Sequence, residues 1–293
     1  MTTTKTILIT GATTGIGRHA ALHLARKGHT VFATGRNEAA LASLREEAAG
    51  TKLEAFRLDV TDPASIASAR AFVDQRTDGR GLDVLVNNAG YGTLGPVELV
   101  TDDEMRAQYD TNVFGLMAVT RAFLPAMRER GQGRIVNVSS MGGRVTFPFF
   151  GVYNSTKYAV EALSDALRQE LAVFGVDVSL LEPGVIKSEF AERAMTFIGR
   201  HRDPSSPYAW ALAKADEMKA QSDAMAVGPD VTTRAIEHAV TARRPRARYV
   251  APFRTNTILW LKALLPTRVM DALLRVALGM TGRRRRTHLA LPA

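Results

Sequence analysis

The chain contains no cysteine, which excludes disulfides and thiolate metal ligands while leaving the redox compartment undetermined. Its six histidines are scattered without ligand spacing, so no metal site is expected. Long hydrophobic runs are also missing. The longest uncharged stretch, residues 84–97, is rich in Gly and Asn and too short to span a bilayer. The apolar run at residues 7–9 stops at Gly11, so no secretory leader is expected and the cytoplasm is the expected location. Acidic residues are scarce at one end. Residues 243–293 hold twelve Arg and Lys against the single acid Asp271, whereas the first 242 residues hold 26 bases and 28 acids. A nearly neutral body with a basic tail suggests an anionic surface more than an acidic substrate. Nucleic acid is not expected as a partner, because the arginines lack aromatic interleaving and any reader motif.

What is present is a regular alternation of strands and helices in a chain of 293 residues, long enough to bury a substantial core. Residues 6–10 read as a first strand, followed by Gly11-x-x-x-Gly15-Ile16-Gly17 and the amphipathic pattern Ala20, Ala21, Leu24, Ala25. Glycines let backbone approach a pyrophosphate, and a helix N-terminus offers N–H groups and a positive dipole end. Further strands are expected at 31–34, 53–58, 82–86, 134–139 and 176–181, with a helix over 102–130. Such alternation argues for a parallel, doubly wound sheet that binds ligands at the C-terminal ends of its strands. The second strand ends in Gly35-Arg36-Asn37, where an acid would read a free ribose diol; an arginine fork suits a 2′-phosphate instead. Tyr153 and Lys157 stand four apart at the start of a helix running to about residue 174, hence on one face. An ammonium on a phenol's face lowers the phenol pKa when the pair is only partly desolvated.

Thr10-Gly11, Gly15-Ile16-Gly17, Asp59-Val60, Asn87-Asn88-Ala89-Gly90, Asn112, Ser139-Ser140, Tyr153-x-x-x-Lys157 and Pro183-Gly184 occur in order. With this set the chain resembles the short-chain dehydrogenase/reductases continuously over residues 5–190, and the resemblance is expected to reach 250. The stretches around Tyr153 and Pro183 resemble the branch of 17β-hydroxysteroid and retinol dehydrogenases.

The resemblance implies a Rossmann-type doubly wound parallel sheet with helices on both faces, and Tyr153 as acid/base with Lys157 lowering its pKa. Ser140, thirteen residues before the tyrosine, is implied to polarise the substrate oxygen, and Asn112 to hold a water leading from Lys157 to solvent. The cofactor is expected along Gly11, Thr13, Gly15, Ile16, Gly17 and Arg36, then Asp59, Val60, Asn88, Ala89 and Gly90, with Tyr153, Lys157, Pro183, Gly184 and Val185 at its nicotinamide end. A basic residue at position 36 goes with NADP(H) over NAD(H) in this family, although Thr14, just before the second glycine of the turn, stands where many NADP users carry a further basic residue.

Residues 1–250 are expected to form the catalytic domain, with 187–230 as a substrate lid carrying Met195, Phe197, Ile198, Tyr208, Trp210 and Leu212. Residues 251–293 are expected as a basic helical extension, with Val269, Ala272, Leu273, Val276 and Met280 on one apolar face and an arginine run at 283–286. The expected substrate is an apolar carbonyl or alcohol, and the expected assembly a homodimer or homotetramer. The extension leaves two partners open, the fold itself and the inner membrane surface. A second reading, a non-catalytic NADP(H)-binding sensor or scaffold acting through its tail, is disfavoured by the retained tyrosine and lysine.

Overall fold

The computed structural model describes residues 4–200 and 203–280. β1 (Thr6–Ile9) and β2 (Thr30–Gly35) are joined by α1 (Gly15–Arg26). α2 (Glu38–Glu47) leads to β3 (Leu53–Arg57), and α3 (Pro63–Arg76) to β4 (Val84–Asn87). The helix expected over 102–130 has three parts: α4 (Asp102–Tyr109), a π turn (Asp110–Gly115) and α5 (Leu116–Glu129). β5 (Gly133–Val138), α6 (Gly151–Leu171) and β6 (Val176–Pro183) follow. α7 (Glu189–Arg200), α8 (Ala209–Leu212), α9 (Ala215–Met225) and α10 (Asp230–Thr241) precede β7 (Arg248–Ala251), a strand the sequence pattern did not suggest. α11 (Asn256–Leu264) and α12 (Thr267–Ala277) complete the described chain.

The seven strands lie in the order β3-β2-β1-β4-β5-β6-β7, all parallel. Strand order therefore reverses between β1 and β4, opening the crevice where such sheets hold ligands. Alternation along β1 divides the core. Ile7 and Ile9 pack with Leu24 and Val31 on one face, while Leu8 packs with Phe32, Leu85 and Phe123 on the other. Each of these fully buried aliphatic side chains stabilises the fold by about 1.5–3 kcal/mol. Phe72 of α3 joins Phe32 and Phe56 of the sheet in edge and tilted contacts with centroids 6.1 and 4.5 Å away.

Local chemistry starts the helices where the sheet needs them. Asp62 caps α3 by accepting from the Ala64 N–H at 2.9 Å, and Pro63, which lacks an N–H, fills the first position. Thr101 and Glu104 form a reciprocal capping box at α4.

α12 docks by a different side from the apolar face expected from the sequence. Met270 is buried and Leu274 packs beside it against Leu259 and Val145. Val269, Leu273 and Val276, the face expected to be the apolar one, point outward at 44, 46 and 63 % exposure. The helix is apolar on both sides, so periodicity could not say which side docks. The arginine run at 283–286 lies outside the described residues, as does the side chain of Met195. Among the described residues no helix is long and apolar enough to cross a membrane.

Candidate active site

The C-terminal ends of β1, β2, β4, β5 and β6 surround a cavity of about 910 Å³. The β1–α1 turn forms one wall. Gly11 has φ +63°, and a Cβ there would stand 2.8 Å from Ala89 Cα, too close for any side chain. Asn88 holds this turn, donating from Nδ2 to the Thr10 carbonyl at 3.0 Å and the Gly11 carbonyl at 2.9 Å. Thr14 at the start of α1 makes no side-chain capping bond. The first-turn N–H groups thus remain available to an anion. A dinucleotide's diphosphate fits this arrangement of bare backbone and uncapped helix end.

Of the residues expected to hold the cofactor, Gly11, Thr13, Gly15, Ile16, Arg36, Asp59 and Val60 line the cavity. So do Asn88, Ala89, Gly90, Tyr153, Lys157, Pro183, Gly184 and Val185. Gly17 does not line it. It lies behind the turn, where a Cβ would meet Asn88 Nδ2 at 2.4 Å, so its lack of a side chain serves packing. Asn112 is likewise behind the wall, 1 % exposed in the π turn. Its amide donates to the Tyr91 carbonyl at 2.9 Å and to Thr156 Oγ1 at 3.0 Å, and accepts from the Tyr91 N–H at 3.1 Å. Both amide donors are spent on protein, leaving one acceptor position for any water.

The reacting groups stand at the other end. Tyr153 and Lys157 open α6, and Tyr153 and Ser140 line the cavity together. Ser140 also accepts from the Gly142 N–H at 3.0 Å, which fixes its hydroxyl at the end of β5. Lys157 Nζ donates to the Val138 carbonyl at 2.8 Å and lies 5.9 Å from the Tyr153 ring centre. Burial pushes the phenol up to about 12 against the opposing Ser140 hydroxyl, and pushes the ammonium down to about 8 against the opposing Glu161 carboxylate. The expected lowering of the phenol by Lys157 is therefore not the net effect. Both groups are buried, desolvation prevails, and Tyr153 stands as a proton donor.

Arg36 reaches the rim from the end of β2, 63 % exposed and 3.9 Å from the Asp59 carboxylate. Burial raises that carboxyl, but two Thr61 hydrogen bonds and then Arg36 hold it below its ordinary range.

Beyond the reacting groups the wall is apolar, and much of it comes from α7 and its neighbours. Phe190, which sequence reasoning passed over, lies with its ring centre 5.2 Å from that of Tyr153 and fills the space above Gly92. Phe197 stacks on Tyr91 at 6.0 Å, while Ile198 and Leu212 are buried with Leu94. Tyr208 donates to Glu98 at 2.6 Å, and Trp210 is exposed. Ser188, also missed, approaches Gly15 closely enough that a Cβ there would stand 3.2 Å away. Its place just past Pro183-Gly184, at a strand's C-terminal end, was the available signal. Among the described residues no cluster of metal-ligating side chains is found.

The short chain dehydrogenase family model matches residues 5–197. Human retinol dehydrogenase 5 is 35 % identical over 280 residues, covering 92 % of this chain and 87 % of that protein. An actinorhodin polyketide ketoreductase variant solved with NADPH has TM-score 0.73 at 29 % identity, covering 86 % of this chain and 97 % of that one. A short chain dehydrogenase/reductase from Burkholderia phymatum solved with NAD has TM-score 0.76 at 25 % identity, covering 93 and 95 %. With a parallel sheet, a bare glycine turn and a Ser-Tyr-Lys group on one crevice, the chain belongs to the short-chain dehydrogenase/reductase family of nicotinamide-dependent oxidoreductases.

Proposed function

We propose that the protein interconverts a carbonyl and an alcohol on an apolar small molecule of steroid, retinoid or lipid type, using NADP(H) in preference to NAD(H). The observation carrying this reading is Ser140, Tyr153 and Lys157 on one cavity with an apolar wall of Phe190, Ile198 and Leu212. When bound, the nicotinamide supplies or accepts the hydride. In the reductive direction Ser140 donates a hydrogen bond to the carbonyl oxygen, and Tyr153 delivers its phenolic proton there as that oxygen becomes a hydroxyl. Lys157 stabilises the phenolate left behind, and Asn112 orders the path by which Lys157 and Tyr153 regain a proton from solvent. Arg36 receives the 2′-phosphate as a planar fork. Oxidation of NADPH and of NADH with a panel of apolar and polar carbonyl compounds tests the reading. Turnover of the polar compounds alone would overturn it.

Residues 187–230 act as the lid. Its two ends are tied together, because the Lys187 N–H donates to the Val227 carbonyl at 2.8 Å and the Val227 N–H to the Val185 carbonyl at 3.2 Å. Residues 251–293 form an extension that rests on an anionic membrane in the cytoplasm. The outward Trp260, Leu264 and Val276 and the interspersed Arg268 and Arg275 support this. A homodimer or homotetramer is proposed on the exposed aromatic surface at Phe114 and Tyr158, read by sedimentation.

A further inference from the structure

Behind the Tyr153–Lys157 pair lies a cluster of buried charge for which the chemistry above has no use. α6 carries Glu161 one turn after Lys157 and Asp165 one turn further, three residues along one stripe. Glu161 is 7 % exposed and Glu182, near the end of β6, is fully buried. Arg248 of β7 reaches all three carboxylates. It is paired with Glu161, stands 2.8 Å from Glu182 Oε1 and 2.6 Å from Asp165 Oδ2. Arg144, from the turn after β5, holds the other Glu182 oxygen at 3.1 Å, and Arg168 lies 2.5 Å from Asp165. Glu161, Glu182 and Arg248 do not line the active-site cavity.

The cluster lies next to the reacting groups. Ser140 lines the cavity beside Tyr153, whereas Ser139 Oγ and Glu161 Oε1 are buried without a hydrogen-bond partner among the described residues. At Gly143 an added Cβ would stand 2.9 Å from Glu161 Cγ and 3.0 Å from the Lys157 carbonyl oxygen, so backbone fills the gap between them. Tyr153 on α6 and Asn112 from the π turn stand near Lys157, while Arg248 from β7 stands on Glu161 and joins it to Glu182 of β6, with its partner Arg144, and to Asp165. Glu161 follows Lys157 by four residues on the same buried face of α6, which places a carboxylate one turn from the ammonium. An ammonium removed from water stays charged only with a compensating anion close by.

We propose that Glu161 is a positioning residue for the reaction: its carboxylate, clamped by Arg248, keeps Lys157 in the ammonium form and so sets the alkaline limit of activity. The proposal rests on the roles given to Tyr153 and Lys157 above. Burial pulls the two partners toward neutrality, Lys157 downward and Glu161 upward, and the paired Arg248 opposes this on the carboxylate. A cluster that merely ties β7 to α6 and β6 predicts lower stability when broken and no change in the pH profile.

The test is the reductive kcat/KM of the full chain from about pH 6 to about pH 10, for parent, Glu161→Gln and Asp165→Asn. Glu161→Gln keeps shape and acceptor oxygen and removes the charge. Without its anion Lys157 releases its proton at lower pH, so the alkaline limb moves down. One unit of movement means an about tenfold greater loss for the variant between about pH 6 and pH 10, once both limbs have been crossed. Asp165→Asn breaks a contact with the same Arg248 one turn farther away and leaves the limb in place. Equal movement in both variants, or none in Glu161→Gln, overturns the proposal. If Glu161→Gln does not fold, Glu161→Asp is measured instead. It draws the charge back by one methylene, so its limb must also move down, and an unmoved limb overturns the proposal. Tyr153→Phe assayed in parallel separates the two levels. Full activity there removes the catalytic reading itself, whereas an inactive Tyr153→Phe beside an unmoved Glu161→Gln limb removes Glu161 alone.

Discussion

Tyr153 does two jobs with separable atoms. Its ring packs among Leu94 and Phe190, and its hydroxyl serves the cavity that Ser140 also lines. Tyr153→Phe keeps the first and deletes the second, so turnover is expected to fall ~10²–10⁴-fold, the range for losing general acid/base catalysis. NADPH affinity, followed by fluorescence titration, is expected to stay within about threefold. Arg36→Ala is expected to lower kcat/KM for NADPH and leave that for NADH nearly unchanged; equal losses would show that Arg36 does not read the phosphate. The places of all three on the cavity were legible because local geometry fixes them, Tyr153 and Lys157 by the helical repeat and Arg36 by ending a strand. Arg248 was not legible. Its partners lie 66 to 87 residues away, and their meeting depends on β7 lying beside β6.

At the scale of elements, the β1–α1 turn and helix leave no slack. A methyl at Gly17 would press on Asn88 Nδ2 at 2.4 Å and the Gly11 carbonyl at 2.5 Å. Gly17→Ala is expected to cost about 1–3 kcal/mol of stability by overpacking. It should also weaken NADPH by shifting the turn that Asn88 secures. Thermal melting with and without NADPH checks both, and a variant melting like the parent would refute the packing account. The six strands read from the sequence are present with ends within two residues of expectation, since apolar β-branched runs closed by Gly, Asp or Asn mark them strongly. β7 is short and follows the basic run at 243–246, which masked it. The π turn in the long helix was invisible because it adds backbone width without breaking the residue pattern around Asn112.

For the whole molecule, α11 and α12 form a raft whose inner side belongs to the enzyme. Leu259 and Met270 are buried against Val145, so a chain ending at residue 253 is expected to expose core and lose its lid-side wall. Surface substitution is therefore the sharper probe. The full chain is expected to float with anionic vesicles at low salt and to float less as salt rises, since each arginine near such a surface contributes about 1 kcal/mol that salt screens. Leu264→Ser with Val276→Ser is expected to abolish the salt-resistant part without lowering the melting temperature, because both side chains point outward at 80 and 63 % exposure. A parent chain that never floats would dispose of the membrane reading. The inner side of α12 has a further consequence. Leu274, Ala277 and Leu278 line the reaction chamber, so a layer touching the outer side would be separated from that chamber by one helix diameter, about 10 Å. Supply is then counted per area. Adding inert lipid at fixed total substrate slows the reaction by surface dilution, while adding buffer at a fixed lipid-to-substrate ratio does not.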